Sequence, residues 1–238
     1  MEITTSASNK PFSYIAFFDL DRTISKAISG NALALKAIGK GYMKTSDIAT
    51  ATWYGFVYLI GLGDSAKIMD KMAAWVKGLK EEILMDLCSE VVREIMIPSI
   101  HPEVIEEIRM HRANNAATVI LSSTLGPVCR GIADHLQMDE IICSHLEAKN
   151  GYLTGKPLGK LCYGEEKLRR LNEYCEKNNT KPSESWYYAD AFVDLPALEL
   201  VGHPVCINPE RKLARIARKK EWDIRRWYKG KKILSSSF

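Results

Sequence analysis

A chain of 238 residues and 26.8 kDa has room for one large domain, or for one domain carrying a sizeable insert. At 46% hydrophobic and 26% charged it reads as an ordinary soluble globular protein, which excludes intrinsic disorder, a collagen-like repeat and a disulfide scaffold. The net charge of +4 is unevenly placed: residues 208–232 carry eleven Lys/Arg against three Asp/Glu, a local +8 that leaves −4 for the rest.

The opening MEITTSASNKPF is polar and lacks the basic start and apolar stretch of a signal peptide, so a cytoplasmic location is expected. Tyr14–Phe18 is a short apolar run ending on acid, the pattern of a buried parallel strand. From about Ser25 to Ile97 the pattern changes to helices. The most apolar stretch, Ile48–Leu62, contains Thr50, Thr52 and Gly55 and falls short of the roughly 20 residues a membrane span needs. Further on, Leu79, Ile83, Leu84, Leu87, Cys88, Val91 and Val92 recur at three- and four-residue steps, one apolar stripe on one helix. Pro98 and Pro102 mark the end of this helical insert.

Strands and helices then alternate. Pro102–Asn114 is predicted helical, Ala117–Leu121 a strand, Gly126–Leu136 a helix and Glu140–Cys143 a strand. Leu146–Lys149 and Tyr152–Lys156 flank Asn150-Gly151, a strong hairpin signal. Glu165–Asn178 reads as a helix, Ser185–Ala189 as a strand, Leu195–Val201 as a helix and Pro204–Ile207 as a strand. Asn208-Pro209 resembles an N-cap and first helical residue, with Leu213, Ile216 and Ala217 at helical spacing. The alternation predicts an α/β fold with an open parallel sheet between helical layers, whose ligands sit beyond the carboxyl ends of the strands.

The six cysteines (Cys88, Cys129, Cys143, Cys162, Cys175, Cys206) lie at least 13 residues apart and make no CxxC pair, so reduced buried thiols are expected rather than a zinc site. The five histidines are scattered and read as structural or surface groups. The basic C-terminal segment reads as the solvated face of a terminal helix. No aromatic is interleaved within that helix to stack bases, so nucleic-acid binding is not expected; contact with an anionic membrane surface stays open but is not favoured.

Three predicted strands end in reactive side chains: the first at Asp19, followed by Asp21 and Thr23; the second at Ser122-Ser123-Thr124; the third at Asp190, with Asp194 four residues on. Lys167 lies between the second and third. If these strands are neighbours, Asp19, Asp21, Ser122, Lys167, Asp190 and Asp194 converge on one crevice. Carboxylates so placed repel unless a cation sits among them, and all-oxygen ligands suit Mg²⁺. A lysine, hydroxyls and backbone amides beside it form a site for a phosphate dianion.

FFDLDRT (Phe17–Thr23), VILSS (Val119–Ser123), GEEK (Gly164–Lys167) and ADAFVDLPAL (Ala189–Leu198) resemble, in order, the four motifs of the haloacid dehalogenase superfamily. The insert, NGYLTG (Asn150–Gly155) and the ending from Gly202 to Trp222 are similar to its phosphoserine phosphatase-like branch. The resemblance implies a Rossmann-like three-layer core built from residues 1–25 and 98–238, and a small all-helical cap over 26–97. It also implies a Mg²⁺-dependent phosphomonoester hydrolase acting on a small phosphorylated metabolite. Asp19 would be the nucleophile and Asp21 the acid and base. Thr23 would steady the first loop at the phosphate site, Ser122 and the Ser123 amide would bind phosphoryl oxygens, and Lys167 would offset developing charge. Asp19, the Asp21 carbonyl and Asp190 would hold Mg²⁺, with Asp194 positioning Lys167 or a metal-bound water.

Two departures stand out. Ala189-Asp190-Ala191 replaces the family's Gly-Asp-Ser, and Ile24–Gly30 lacks the acid that phosphoserine phosphatases use for the substrate ammonium. Trp53, Tyr54, Phe56, Tyr58 and Trp75 in the insert are expected as helix core, with a few forming an apolar wall for the leaving group. Two other readings are a lipid-phosphate phosphatase working at a membrane surface and a non-catalytic phosphate-binding or regulatory protein of the same fold. The intact Asp19, Asp21, Lys167 and Asp190 set speaks against the latter.

Overall fold

The computed structural model describes residues 12–44, 46 and 73–227. Six parallel strands form one sheet: β1 (Ile15–Phe18), β2 (Ala117–Leu125), β3 (Glu140–Ser144), and then β6 (Trp186–Ala189), β7 (His203–Ile207) and β8 (Asp223–Arg225). Their order in space is β3-β2-β1-β6-β7-β8, so the first strand lies at the centre between β2 and β6. The register places Phe17 beside Val119 and Tyr187, and the residues that follow these strands gather at one edge.

The alternation of side chains divides the core in two. Ile15, Phe17, Val119, Leu121, Tyr187 and Ala189 face one way, against Leu171 and Cys175 of α5 (Glu165–Lys177), Leu198 of α6 (Leu195–Leu200) and Leu213 and Ala217 of α7 (Arg211–Lys219). Ala16, Phe18, Ile120 and Tyr188 face the other way, with Val104 and Ile108 of α3 (Pro102–Ala113) and Val128 and Ile132 of α4 (Gly126–Leu136). Both faces of the sheet are covered, as the continuous apolar strands require. This is the expected three-layer α/β architecture.

The insert leaves and re-enters the core at one neck. Ser25 pairs with Ile100, Lys26 donates its amide to Ser99 at 2.8 Å and His101 to Ile24 at 2.9 Å. Within it, α1 (Ser29–Gly39) and α2 (Glu81–Val91) bury Leu33, Ala37, Leu84, Leu87, Cys88 and Val91 in the same cluster as the α4 residues. The predicted stripe is not one helix. Leu79 precedes it, and after Val91 the chain widens into a π-helical turn over Val92–Met96 and tightens to a 3₁₀ turn over Ile97–Ser99. Val92 sits so close to Gly131 of α4 that a Cβ there would lie 2.9 Å from its Cγ1, so glycine permits the approach. The hairpin β4 (Leu146–Lys149) and β5 (Tyr152–Pro157) forms its own sheet and ties on the insert: Gly78 donates to Leu153 and Leu153 to Leu79, both at 2.8 Å.

Two other expectations are corrected. Strand β2 runs on to Leu125, carrying Ser122-Ser123-Thr124 within a shift of register between Leu121 and Leu125. The last helix starts at Arg211, with Glu210 as its cap. Asn208 instead takes a positive φ of 42° and donates its amide to Arg225, which holds it in the sheet. Strand β8 was not read from the sequence at all: its three residues have no period long enough to show. Of the insert aromatics, Trp53, Tyr54, Phe56 and Tyr58 lie outside the described residues, as does Ile48–Leu62; Trp75 is half-buried against the larger cluster. Among the described residues no helix is long and apolar enough to cross a membrane.

Candidate active site

Asp19 is the first residue beyond the central strand, and its amide still donates to Tyr188 O of β6 at 2.9 Å. A tight loop follows, closed by bonds from Ser25 N to Leu20 O at 3.0 Å and from Ile24 N to Asp19 O at 3.3 Å. Arg22, at its tip, has a φ of 62°, the left-handed turn that reverses the chain within so few residues. The loop leaves Asp19 and Asp21 at the strand end.

Opposite, α5 begins at Gly164, whose φ of 51° and ψ of −123° suit only glycine. That entry sends Lys167, one turn in, to the sheet. The Lys167 ammonium, 2% exposed, donates to Asp19 Oδ1 at 2.7 Å, Asp194 Oδ1 at 2.6 Å and the Tyr187 hydroxyl at 3.1 Å. Tyr187 in turn donates to Asp194 at 2.8 Å. Asp190, just beyond β6, is paired with the Arg22 guanidinium at 2.8 Å. One carboxylate oxygen each from Asp19, Asp190 and Asp194 lies within 4.8 Å of the others.

The electrostatics show a shortage of positive charge. Burial, reinforced by Asp194 and Asp21, lifts the Asp19 carboxyl to about 6 against the pull of Lys167. Burial and then Asp19 lift Asp190 to about 8, with Arg22 only partly compensating. Burial by itself would depress Lys167, but Asp19 and Asp194 outweigh it and hold the ammonium well above its ordinary value. The lysine is therefore a fixed cation. The raised carboxyls and their buried oxygen donors fit a hard divalent cation, which would return both to the ionised form.

Asp21 is turned the other way. Its two oxygens accept from the Ser29 amide at 3.0 Å and hydroxyl at 2.8 Å, and Ser29 Oγ is 2.9 Å from Thr124 Oγ1. Burial raises the Asp21 carboxyl, while the bonds from Ser29 oppose the shift. In the β2 bulge, Ser122 is buried and its Oγ accepts from the Thr124 amide at 3.3 Å, whereas Ser123 is exposed. Thr23 is buried, and its hydroxyl has no hydrogen-bond partner among the described residues.

The structure thus brings Asp19, Lys167, Asp190 and Asp194 into direct contact or near contact and holds Asp21 beside them. Four participants were not read from the sequence. Ser29 lies eight residues past Asp21 across a turn, with no local period to reveal it. Arg22 sits inside the first motif, but nothing in the sequence pairs it with Asp190, more than 160 residues on. Tyr187 is distinguished only by the inward phase of a strand. Glu210 accepts from the Phe192 amide at 2.8 Å and gives its own amide to Asp190 O at 3.0 Å, bracing the loop that carries Asp190.

The central region of the parallel sheet thus ends in a buried aspartate ion-paired to a lysine. The family model for haloacid dehalogenase-like hydrolases matches residues 16–199. The chain belongs to that family, among its phosphatases. It is 30% identical over 220 residues to a histidinol-phosphatase of Neisseria meningitidis, covering 88% of this chain and 97% of the relative. It is 26% identical to a phosphoserine phosphatase of Mycobacterium tuberculosis, covering 88% and 70%. Among solved structures, a Bordetella pertussis protein of unknown function superposes with a TM-score of 0.79 at 23% identity over 90% of this chain and 99% of that one. A substrate-bound phosphoserine phosphatase does so with a TM-score of 0.66 at 16% identity over 89% and 91%.

Proposed function

We propose that this protein is a Mg²⁺-dependent phosphomonoester hydrolase that works through an aspartyl-phosphate on Asp19 and acts on a small phosphorylated metabolite. The observation that carries the reading is Asp19 itself: a buried carboxylate at the end of the central strand, with one oxygen held by Lys167 at 2.7 Å. That bond fixes the carboxylate, so that its other oxygen is the nucleophile for an in-line attack on phosphorus. Asp21, kept apart from the lysine by Ser29, gives its proton to the leaving alcohol and then takes one from the water that hydrolyses the intermediate. General acid–base help of this kind contributes about 10²–10⁴-fold. Ser122 and the Ser123 amide bind phosphoryl oxygens, Lys167 offsets the charge that develops on them, and Thr23 packs the first loop beneath that phosphate site. Mg²⁺, held by Asp19, the Asp21 carbonyl and Asp190 with Asp194 at its edge, would supply charge neutralisation at the phosphoryl group.

Residues 1–25 and 98–238 form the catalytic core in this reading and 26–97 the cap, a division supported by the neck at Ser25 and Ile100. Discrimination between phosphoesters then rests with the insert, since the core contacts only the phosphoryl group. The acid-free stretch from Ile24 to Gly30 offers no partner for an ammonium. A cytoplasmic location goes with this reading. The exposed basic face of α7, with Arg211, Arg215, Arg218 and Lys219, is the observation that favours a membrane-surface variant of the same activity, and co-sedimentation with acidic liposomes tests it.

The deciding experiment is turnover of a generic aryl phosphate with and without EDTA, alongside Asp19→Asn. Full activity in that variant overturns the mechanism. For specificity, kcat/KM for phosphoserine is expected to exceed that for glycerol phosphate by less than about 10²-fold, or roughly 2.7 kcal/mol. A larger preference would show that the insert supplies the missing acid.

A further inference from the structure

Four carboxylates gather at the strand ends, and one of them is held differently from the rest. Lys167 pairs with Asp19 and Asp194 and Arg22 with Asp190, whereas Asp21 is held by neutral donors. The Ser29 amide donates to Asp21 Oδ1 at 3.0 Å and the Ser29 hydroxyl to Oδ2 at 2.8 Å. That hydroxyl has one proton and spends it on Asp21. Its 2.9 Å contact with Thr124 Oγ1 is therefore a bond in which Thr124 donates. Ser29 and Thr124 are both buried.

The two hydroxyls come from different parts of the chain. Ser29 is the first residue of α1 in the insert, and Ala32, Leu33 and Ala37 pack that helix into the cluster it shares with α2 and α4. The turn between Asp21 and Ser29 is itself pinned: Asp21 bridges to Ser25, and the Ala27 amide donates to Ser25 Oγ at 3.1 Å. Thr124 lies in the β2 bulge, where its amide donates to Ser122 Oγ at 3.3 Å. An accepting Ser122 oxygen keeps its own proton for a phosphoryl oxygen. The group that backs Ser29 and the hydroxyl that meets the phosphate thus share one short segment.

An acid–base carboxyl must be held in two protonation states. A buried ammonium or guanidinium favours only the ionised one. A hydroxyl pair serves both. Ser29 Oγ donates to ionised Asp21 and, by turning its proton toward Thr124 Oγ1, accepts from the protonated acid. The Ser29 amide can only donate, so it keeps Oδ1 in place while the bond at Oδ2 reverses.

We propose that Ser29 and Thr124 are positioning residues for the acid–base step, a role that rests on the phosphatase reading. They form a reversible hydroxyl pair, one from the insert and one from the phosphate-binding bulge, that orients the Asp21 carboxyl in both of its protonation states. Without the Ser29 hydroxyl, Oδ2 loses its partner and the carboxylate turns toward the Lys167 charge, where an ammonium holds it ionised and unable to supply a proton. Departure of an alkoxide, which needs that proton, suffers most. Departure of a stabilised phenolate, which leaves without one, suffers least.

The test is kcat/KM of the full chain with Mg²⁺ for 4-nitrophenyl phosphate and 4-nitrobenzyl phosphate, probes of similar size that release a phenolate and an alkoxide. In Ser29→Ala the loss on the benzyl ester is expected to exceed that on the phenyl ester by about 10-fold or more, part of the roughly 10²–10⁴-fold that acid–base help supplies. Ser29→Thr keeps the hydroxyl and should recover most of that difference. Thr124→Val should show the same selectivity to a smaller degree, and the double variant should be no more selective than Ser29→Ala. A general disturbance of the fold would lower both esters alike. Equal losses in Ser29→Ala, no recovery in Ser29→Thr, or additive losses in the double variant would each overturn the role of the pair. Asp21→Asn separates the two readings, since it should discriminate between the esters more strongly than any of these variants. If it does and Ser29→Ala does not, only the positioning role fails. If Asp21→Asn treats both esters alike, Asp21 is not the acid, and the proposed mechanism fails together with the positioning role.

Discussion

Tyr187 and Tyr188 are neighbours in one strand, both fully buried, and they serve opposite ends. Strand alternation sends Tyr187 to the face of α5, where its hydroxyl touches Lys167 and Asp194. Tyr188 goes to the other face. There it donates to Glu107 at 2.7 Å and meets His111 Nε2 at 2.8 Å, while His111 Nδ1 is 3.0 Å from the Tyr14 hydroxyl and Arg225 closes on Glu107. The second network is complete, and the Tyr188 ring lies flat on Phe18 at 4.4 Å. The first network is not: among the described residues the carboxylates of Asp19, Asp190 and Asp194 are paired only with Lys167 and Arg22, and Asp21 is held by Ser29. A structural network closes its charges internally, whereas a site leaves an imbalance for a ligand to correct.

Removing charge should therefore have opposite consequences in the two places. Asp19→Asn is expected to cut turnover by at least about 10³-fold, as loss of a covalent nucleophile does. It should not lower the denaturation midpoint, because it relieves repulsion with Asp190 and Asp194. Measuring both quantities on one preparation checks this; a marked loss of stability would mean that the cluster is structural. Lys167→Met is the converse. It strands buried carboxylates without their cation and should cost about 3–5 kcal/mol in chemical denaturation. Added Mg²⁺ should recover part of that loss in the variant. If it recovers none, the carboxylates do not form a cation site.

On the opposite face, Tyr188→Phe keeps the ring stacked on Phe18 but leaves Glu107 and His111 each short of a partner. The expected cost is about 1–3 kcal/mol in urea denaturation, with kcat unchanged. An effect on kcat larger than on stability would show that the two faces communicate through β6.

What could be read in advance follows from range. Asp19 and Asp190 sit in short motifs at strand ends, and the parallel α/β rule brings strand ends together, so their convergence was legible; Lys167, one turn into α5, was placed by its motif. The hydrogen bond from Ser29 to Asp21 was not, because it depends on where the chain turns after the first loop. Likewise β8 has three residues and Asn208 is diverted by pairing with Arg225, a contact that no local pattern announces. The closed network around Tyr188 was missed for a related reason. His111 and Glu107 fall on a helix face like any other polar residues, and only the packing of α3 on the sheet reveals His111 as buried and Glu107 as half-buried.

His111 offers the finest test of the contrast. Burial is the main cause that pulls its imidazole down to about 4, with Arg225 and His203 adding to the shift and Glu107 opposing it. The ring is therefore neutral in the folded protein at pH 5, whereas in the unfolded chain, with a value near 6.5, it is largely protonated. The unfolded state binds the extra proton, so stability falls as pH drops below about 6.5 and continues to fall until the folded value is reached. Between pH 7 and pH 5 the expected loss from this one group is about 2 kcal/mol. His111→Gln keeps hydrogen-bonding capacity and removes the titration, so its urea midpoint should decline less over that interval than that of the wild type. Equal declines would mean that the imidazole takes up its proton without leaving the fold, and that the second network is less closed than its geometry indicates.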